Sequence, residues 1–203
     1  MTEGVFKDYH NKLENYYKTW FDKFKYENTI NKKIIFVSDC DGILSDGKNV
    51  YNEIHKIFKN YGQYDKEAIK YICDYAYDTL IFVTGDKKGF KITQKRINDI
   101  SSSCNNRDHI QIYNYNSEER LNLLKDLLKN NRDSYIVFIG DSLSDIPSLS
   151  FADYSLTVNN APNAVRFYCD YISPLKGSEG GFADCIFAFY KYISKKHSND
   201  NTR

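Results

Sequence analysis

Along the chain, short unbroken apolar runs alternate with segments whose apolar residues recur every three or four positions. The runs cover 34–37, 80–83, 110–113 and 135–139, with a weaker one at 154–158. Between or beside them, 66–78, 89–100, 117–130 and 161–168 have helical spacing. Strands alternating with helices predict βαβ units, and unbroken rather than alternating apolarity suits strands covered on both faces. The expected class is therefore α/β, with a central parallel sheet between helical layers. Residues 3–27 read as an amphipathic helix with an aromatic face that includes Phe6, Tyr9, Tyr16 and Trp20. It fits a helix docked on the domain, or a subunit or partner contact. In "NVYNEIHKIFKNY", 49–61, Val50, Ile54 and Phe58 alternate loosely with polar residues, which predicts a β-hairpin. The expected organisation is a helical extension over 1–30, one domain over 31–197 and a disordered tail over 198–203.

Composition narrows the function classes. Of 203 residues, 41% are apolar and 27% charged, enough for one sizeable core. A formal net charge of +1 argues against a nucleic-acid binder. The five cysteines form no CxxC pair, which speaks against structural zinc and for reduced thiols. No signal peptide or spanning run is visible, so a cytoplasmic protein without a membrane partner is expected. The four histidines do not cluster, and His55 reads as a surface residue of the hairpin.

The polar chemistry falls at strand ends. In an open parallel sheet, ligands collect beyond the C-terminal ends of the strands. The first run leads into "SDCDG", the second into "TGD" and the fourth into "GDSLSD". Asp39 and Asp41 stand two positions apart on an extended segment, so their side chains share a side. Gly42 permits a sharp turn and a close ligand approach, although Asp and Gly are also ordinary turn residues. Thr84 and Gly85 suit a phosphate oxygen, or Thr84 caps a helix. Asp141 joins Asp39 and Asp41 if the strands are neighbours. Three converging carboxylates call for a hard dication, and oxygen ligands favour Mg²⁺. Ser142, Ser144 and Asp145 read as cap or supporting residues, with Asp145 also able to orient a ligand. Asp46 reads as a turn residue leading into the hairpin.

Taken together, "DCDG", "TG", a basic residue before a helix and "GDSLSD" resemble the haloacid dehalogenase (HAD) superfamily of aspartate-based phosphotransferases. The resemblance covers about 33–195. "DCDGILSDGKNVYNE" and "GSEGGFADCIF" resemble the capless subgroup that includes 3-deoxy-D-manno-octulosonate 8-phosphate phosphatases and N-acylneuraminate 9-phosphatase-like proteins. The spacing agrees, since no stretch between the motifs has room for a lid domain. The resemblance implies a three-layer Rossmann-like fold without a cap and a phosphomonoester hydrolase acting on a small phosphate ester such as a sugar or sugar-acid phosphate. It implies Asp39 as nucleophile, Asp41 as general acid and base, and phosphate binding by Thr84, Gly85 and Arg120. Mg²⁺ would be held by Asp39, the Asp41 carbonyl and Asp141. By the same resemblance the protein is a homo-oligomer, typically a tetramer, with 49–61 and 176–186 of one subunit closing a neighbour's site.

Three positions depart from the subgroup. Arg120 stands where Lys is usual, and Arg differs from Lys in reach and geometry. Asp86, followed by Lys87 and Lys88, stands where Arg often follows "TG". Phe182, Ala183 and Asp184 occupy a tail region where Arg is typical. These departures leave two other readings open: a HAD-like assembly module with little turnover, and a phosphatase of nucleic-acid ends.

Overall fold

The structure is a computed structural model describing residues 33–54, 56–76 and 78–200, with side chains to residue 191. The expected helix at 3–27, His55 and the last three residues lie outside the described residues. Backbone contacts group Lys32–Ile186 into one compact unit and assign Phe187 onward to a second. No described helix is long and apolar enough to cross a membrane.

The apolar runs form the sheet. Strands β1 (Lys33–Asp39), β4 (Thr79–Thr84), β5 (Ile110–Asn114), β6 (Ser134–Ile139), β7 (Tyr154–Thr157) and β8 (Tyr171–Ile172) pair in the order β5-β4-β1-β6-β7-β8. Every pairing in this six-stranded sheet is parallel. Side chains alternate between faces along each strand. Ile35, Val37, Ile81, Val83, Ile136 and Phe138 pack on one face with Leu124, Leu149 and Val165. On β1 and β4 the intervening residues Phe36 and Phe82 are fully buried, and the Phe82 ring lies 5.9 Å from that of Phe182. Burial on both faces explains why the strands read as unbroken apolar runs.

Helices α2 (Phe90–Ser101) and α3 (Ser117–Asn130) match the expected spacing. Helix α1 is shorter than expected, covering Asp65–Lys70, and continues as a π turn over Tyr71–Tyr75. The Ala76 amide donates to the Tyr71 carbonyl at 2.9 Å, five residues back, which ends the helix early. The 161–168 region keeps only the short α5 (Asn163–Arg166), which follows α4 (Ile146–Phe151) and β7. A final helix, α6 (Gly181–Asp200), was not among the segments expected from the sequence.

The hairpin is larger than expected, beginning at Ser45. Strands β2 (Ser45–Tyr51) and β3 (Lys56–Tyr61) pair antiparallel, so Asp46 lies within a strand rather than in a turn. Its carboxylate accepts from the Lys48 amide at 2.9 Å. Val50, Ile54 and Phe58 are exposed, whereas Lys56 and Lys59 are buried. The apolar alternation that suggested the hairpin therefore marks its solvent side.

Asp65, the first residue of α1, is buried, and neither carboxylate oxygen has a hydrogen-bond donor. Burial pushes its pKa from 3.8 up to about 7, only partly opposed by the Arg96 charge. The folded state thus binds this proton more tightly than the unfolded chain. The associated stability is present below about pH 4 and is lost as pH rises through about 7. Asp65→Asn removes the loss, on the order of 2–4 kcal/mol at pH 8. Thermal melts should show the variant several degrees above wild type at pH 8 and level with it near about pH 4.

Candidate active site

From β1 the sheet grows outward through β4 to β5, and the chain then crosses back to place β6 on the other side of β1. This is the topological switch point, where an open sheet forms a crevice. Asp39 ends β1 in register with Val83, and Ser38 is in register with Ile139. The residues that follow these strands, Asp41, Thr84 and Asp141, therefore open into one crevice. Asp39 and Asp141 come together, but the third carboxylate of the cluster is Asp145 and not the expected Asp41, whose oxygens are taken by Thr84 and Lys59.

Arg120 is brought in by a capped helix. The Asn116 side chain accepts from the Glu119 amide at 3.0 Å, and the Glu119 carboxylate accepts from the Asn116 amide at 2.7 Å. This reciprocal box fixes the first turn of α3 and puts Arg120 at its start, pointing inward. Arg120 is only 4% exposed. Its Nε donates to the Tyr115 carbonyl at 3.1 Å, its Nη1 donates to Asp145, and its Nη2 lies 3.0 Å from Asp39 Oδ1. Burial opposes its charge, but Asp39 and Asp145 outweigh that and raise its pKa. Gly85 stands beside it, where a β-carbon would lie 3.3 Å from Nη2.

Asp145 is fully buried and its oxygens are already engaged. Oδ1 takes the Arg120 bond, and Oδ2 accepts from the Asp141 and Ser142 amides and the Ser142 hydroxyl. It orients the Asp141–Ser142 backbone and braces Arg120.

Asp39 and Asp141 are different. Asp141 Oδ1 is buried without a hydrogen-bond donor, and Asp39 Oδ1, also buried, has the Arg120 ion pair at 3.0 Å but no aligned hydrogen bond. Burial, and then the Asp145 charge, hold the Asp39 carboxyl well above the usual range despite Arg120. Burial and the charges of Asp145 and Asp41 push Asp141 up to about 7. Oxygens of Asp39, Asp141 and Asp145 come within 4.8 Å of one another among the described residues. Because Asp145 is committed elsewhere, Asp39 and Asp141 remain as side-chain donors. An orphaned Asp141 oxygen beside a buried Asp39 carboxylate, in a repelling pair, fits a hard dication such as Mg²⁺. Gly42 makes this approach possible. Its φ is +91°, and a β-carbon there would sit 2.0 Å from Asp141 Oδ2.

Asp41 faces away from this pair. Thr84 Oγ1 donates to Asp41 Oδ2 at 2.9 Å, and Lys59 Nζ lies 2.7 Å from Asp41 Oδ1. Lys59 also lies 2.9 Å from Asp86 Oδ2, to which Lys56 donates as well. Burial disfavours the Lys59 charge, but the bonds to Asp41 and Asp86 prevail and raise its pKa. The same lysines and the Gly89 amide outweigh burial at Asp86 and lower it to about 2. Sequence reasoning missed Lys56 and Lys59. The only available signal was a pair of lysines three apart flanking Ile57 and Phe58 in a strand.

A family model described as haloacid dehalogenase-like hydrolase matches residues 7–186. The chain belongs to this haloacid dehalogenase-like family. It is also similar to the 3-deoxy-D-manno-octulosonate 8-phosphate phosphatase of Haemophilus influenzae, 24% identical over 150 residues, covering 73% of this chain and 77% of that protein. The fold matches the cobalt-bound structure of the Haemophilus influenzae deoxy-D-mannose-octulosonate 8-phosphate phosphatase. There the TM-score is 0.67 at 21% identity, covering 83% of this chain and 93% of the other. It also matches the Moraxella catarrhalis 3-deoxy-D-manno-octulosonate 8-phosphate phosphatase in complex with magnesium ion, phosphate ion and KDO. That TM-score is 0.67 at 22% identity, covering 86% and 92%.

Within the haloacid dehalogenase-like family, this chain lacks a cap among its described residues: only a hairpin and α1 lie between β1 and β4. The departures expected from sequence resolve unequally. Arg120 does reach Asp39. Phe182 and Ala183 are buried, and Asp184 accepts from the Tyr171 hydroxyl at 2.7 Å, so these tail residues belong to the core. Gly177 packs on the Gly42 carbonyl, where a β-carbon would lie 1.8 Å from that oxygen. The tail loop thus lies against the site of its own chain. Lys87 and Lys88 are exposed. All five cysteines are free.

Proposed function

We propose that the protein is a Mg²⁺-dependent phosphomonoester hydrolase that works through an aspartyl-phosphate on Asp39. The observation that carries this reading is the setting of Asp39. It is a buried carboxylate whose Oδ1 is ion-paired with Arg120 at 3.0 Å and which stands beside an orphaned carboxylate oxygen of Asp141. An oxygen of Asp39 attacks phosphorus while the bond from phosphorus to the ester oxygen breaks. Asp41 gives its proton to the departing alkoxide. It then takes a proton from the water that attacks the aspartyl-phosphate, which frees phosphate and restores Asp39. Arg120 and the Gly85 amide bind the phosphoryl oxygens, where negative charge accumulates, and Thr84, whose one hydroxyl proton goes to Asp41, lines the cradle. The Asp39 and Asp141 carboxylates, with the Asp41 backbone carbonyl, hold Mg²⁺, which when bound offsets the repulsion between carboxylate and phosphate.

The substrate we infer is a phosphorylated sugar or sugar acid. The relatives above act on an octulosonate phosphate, and an open, capless crevice admits a leaving group of that size. The exposed hairpin residues Val50, Tyr51, Ile54, Ile57 and Phe58 favour assembly of copies, with a homotetramer as the expected state. Free thiols favour a reducing compartment, the cytoplasm. Purified protein should release phosphate from p-nitrophenyl phosphate with Mg²⁺ and not with EDTA. A screen of sugar and sugar-acid phosphates should then find a substrate turned over at least about 10-fold more efficiently than the aryl ester, since remote contacts contribute binding energy to the reacting centre. Failure of metal-dependent release from every ester would remove this reading.

A further inference from the structure

We propose that Lys59 is a positioning residue for Asp41, anchored for that task by Asp86. This rests on the phosphatase reading above. Lys59 sits in β3, and its side chain is fully buried although the adjacent Phe58 is 53% exposed. All three ammonium donors are used: Asp41 Oδ1 at 2.7 Å, Asp86 Oδ2 at 2.9 Å and Thr93 Oγ1 at 2.8 Å.

The contacts close a ring. Asp86 N donates to Thr84 Oγ1 at 3.1 Å, and Thr84 Oγ1 donates to Asp41 Oδ2 at 2.9 Å. Lys59 then links Asp41 Oδ1 back to Asp86. Asp86 is itself pinned by the Gly89 amide at 2.9 Å and by Lys56. Both oxygens of Asp41 are therefore gripped, one by a hydroxyl and one by an ammonium, while its side chain stays 26% exposed to the crevice. A carboxylate so held presents a fixed face to a leaving group.

Stability alone does not call for this arrangement. A buried ion pair is at best a weak stabiliser, and an apolar residue turned inward would serve the core as well. The inverted hairpin, lysines in and Ile57 and Phe58 out, makes sense if the lysines serve the site. Asp86 stands directly after "TG" and gives Lys59 its second carboxylate. The acidic residue at that position is thus part of the catalytic scaffold.

The test uses two esters. p-Nitrophenolate leaves without needing a proton, whereas the alkoxide of an alkyl phosphate such as glycerol phosphate needs one. Loss of Asp41 positioning therefore harms the alkyl ester selectively. Lys59→Met should lower kcat by about 100-fold on the alkyl ester and less than about 5-fold on the aryl ester, with little change in KM. Lys59→Arg should recover about 10-fold of the alkyl loss, because a guanidinium can bridge both carboxylates. Asp86→Asn, which keeps Lys59, should shift the same ratio in the same direction and less far, and serves if Lys59→Met does not fold. Equal losses on both esters, or no loss on the alkyl ester, in either variant would overturn the inference while the phosphatase reading stands. A wild type silent on both esters with Mg²⁺ would overturn both.

Discussion

Asp39→Asn is expected to abolish phosphate release, by about 10⁴-fold or more at saturating substrate. An amide oxygen is too weak a nucleophile to displace an alkoxide from phosphorus, and no other carboxylate can take the place of Asp39. Asp145 is fully engaged by Arg120, Ser142 and two backbone amides. Asp41 is turned toward Thr84 and Lys59. The variant should nevertheless fold. In the absence of metal, the Asp39 charge is opposed by burial and by the neighbouring Asp145, Asp141 and Asp41. Removing it relieves repulsion, and Arg120 keeps Asp145 as a partner. In EDTA at neutral pH the variant should melt at or above the wild-type temperature. Activity loss without stability loss identifies a chemical role. Retention of more than a few per cent of wild-type turnover would exclude Asp39 as the nucleophile.

Arg120→Met should have the second largest effect, and here both quantities should fall. Arg120 is the one cation seen in contact with both Asp39 and Asp145 among the described residues. Its removal leaves two buried carboxylates uncompensated, which costs about 3–5 kcal/mol. For a chain of this size that lowers the melting temperature by roughly 10 °C. It also removes a donor aimed at the phosphoryl oxygens, worth about 10²–10³ in kcat. Mg²⁺ should restore part of the stability and none of the lost turnover. Arg120→Lys should fall between, since a single ammonium lacks the planar fork that spans Asp39, Asp145 and the Tyr115 carbonyl. A Met variant within about threefold of wild type in kcat would remove Arg120 from the phosphate cradle.

Much of this site was legible because its residues lie directly after strands. The runs at 34–37, 80–83 and 135–139 are apolar throughout because both sheet faces are covered, and the first polar residue beyond each marks the crevice. Arg120 was legible only through the family resemblance, which expects a basic residue at the start of this helix, and the Asn116–Glu119 box explains why that start is well defined. Asp141 and Gly42 were legible separately, but not their fit, which depends on the approach of two loops more than ninety residues apart.

The hairpin was legible, but not which of its faces turns inward. Alternation shows that two faces differ, not which one meets the protein. For β2 and β3 the answer lies in Asp41 and Asp86, which draw Lys56 and Lys59 inward and leave Ile57 and Phe58 outside. The early end of α1 at a π turn and the length of α6 were also hidden. The first depends on a single backbone bond spanning five residues, and no helical segment was legible over the tail.

The sequence by itself determined the layer architecture, the main alternation of strands and helices and the identity of the strand-end carboxylates, because periodicity and local capping act within a few residues. The tertiary structure alone decided which carboxylates are left without donors, that Arg120 braces two of them, and that two hairpin lysines grip Asp41 and Asp86. Those outcomes are electrostatic. A buried charge takes whichever opposite charge the fold brings within about 3 Å, and that distance is set by packing between segments remote in the chain.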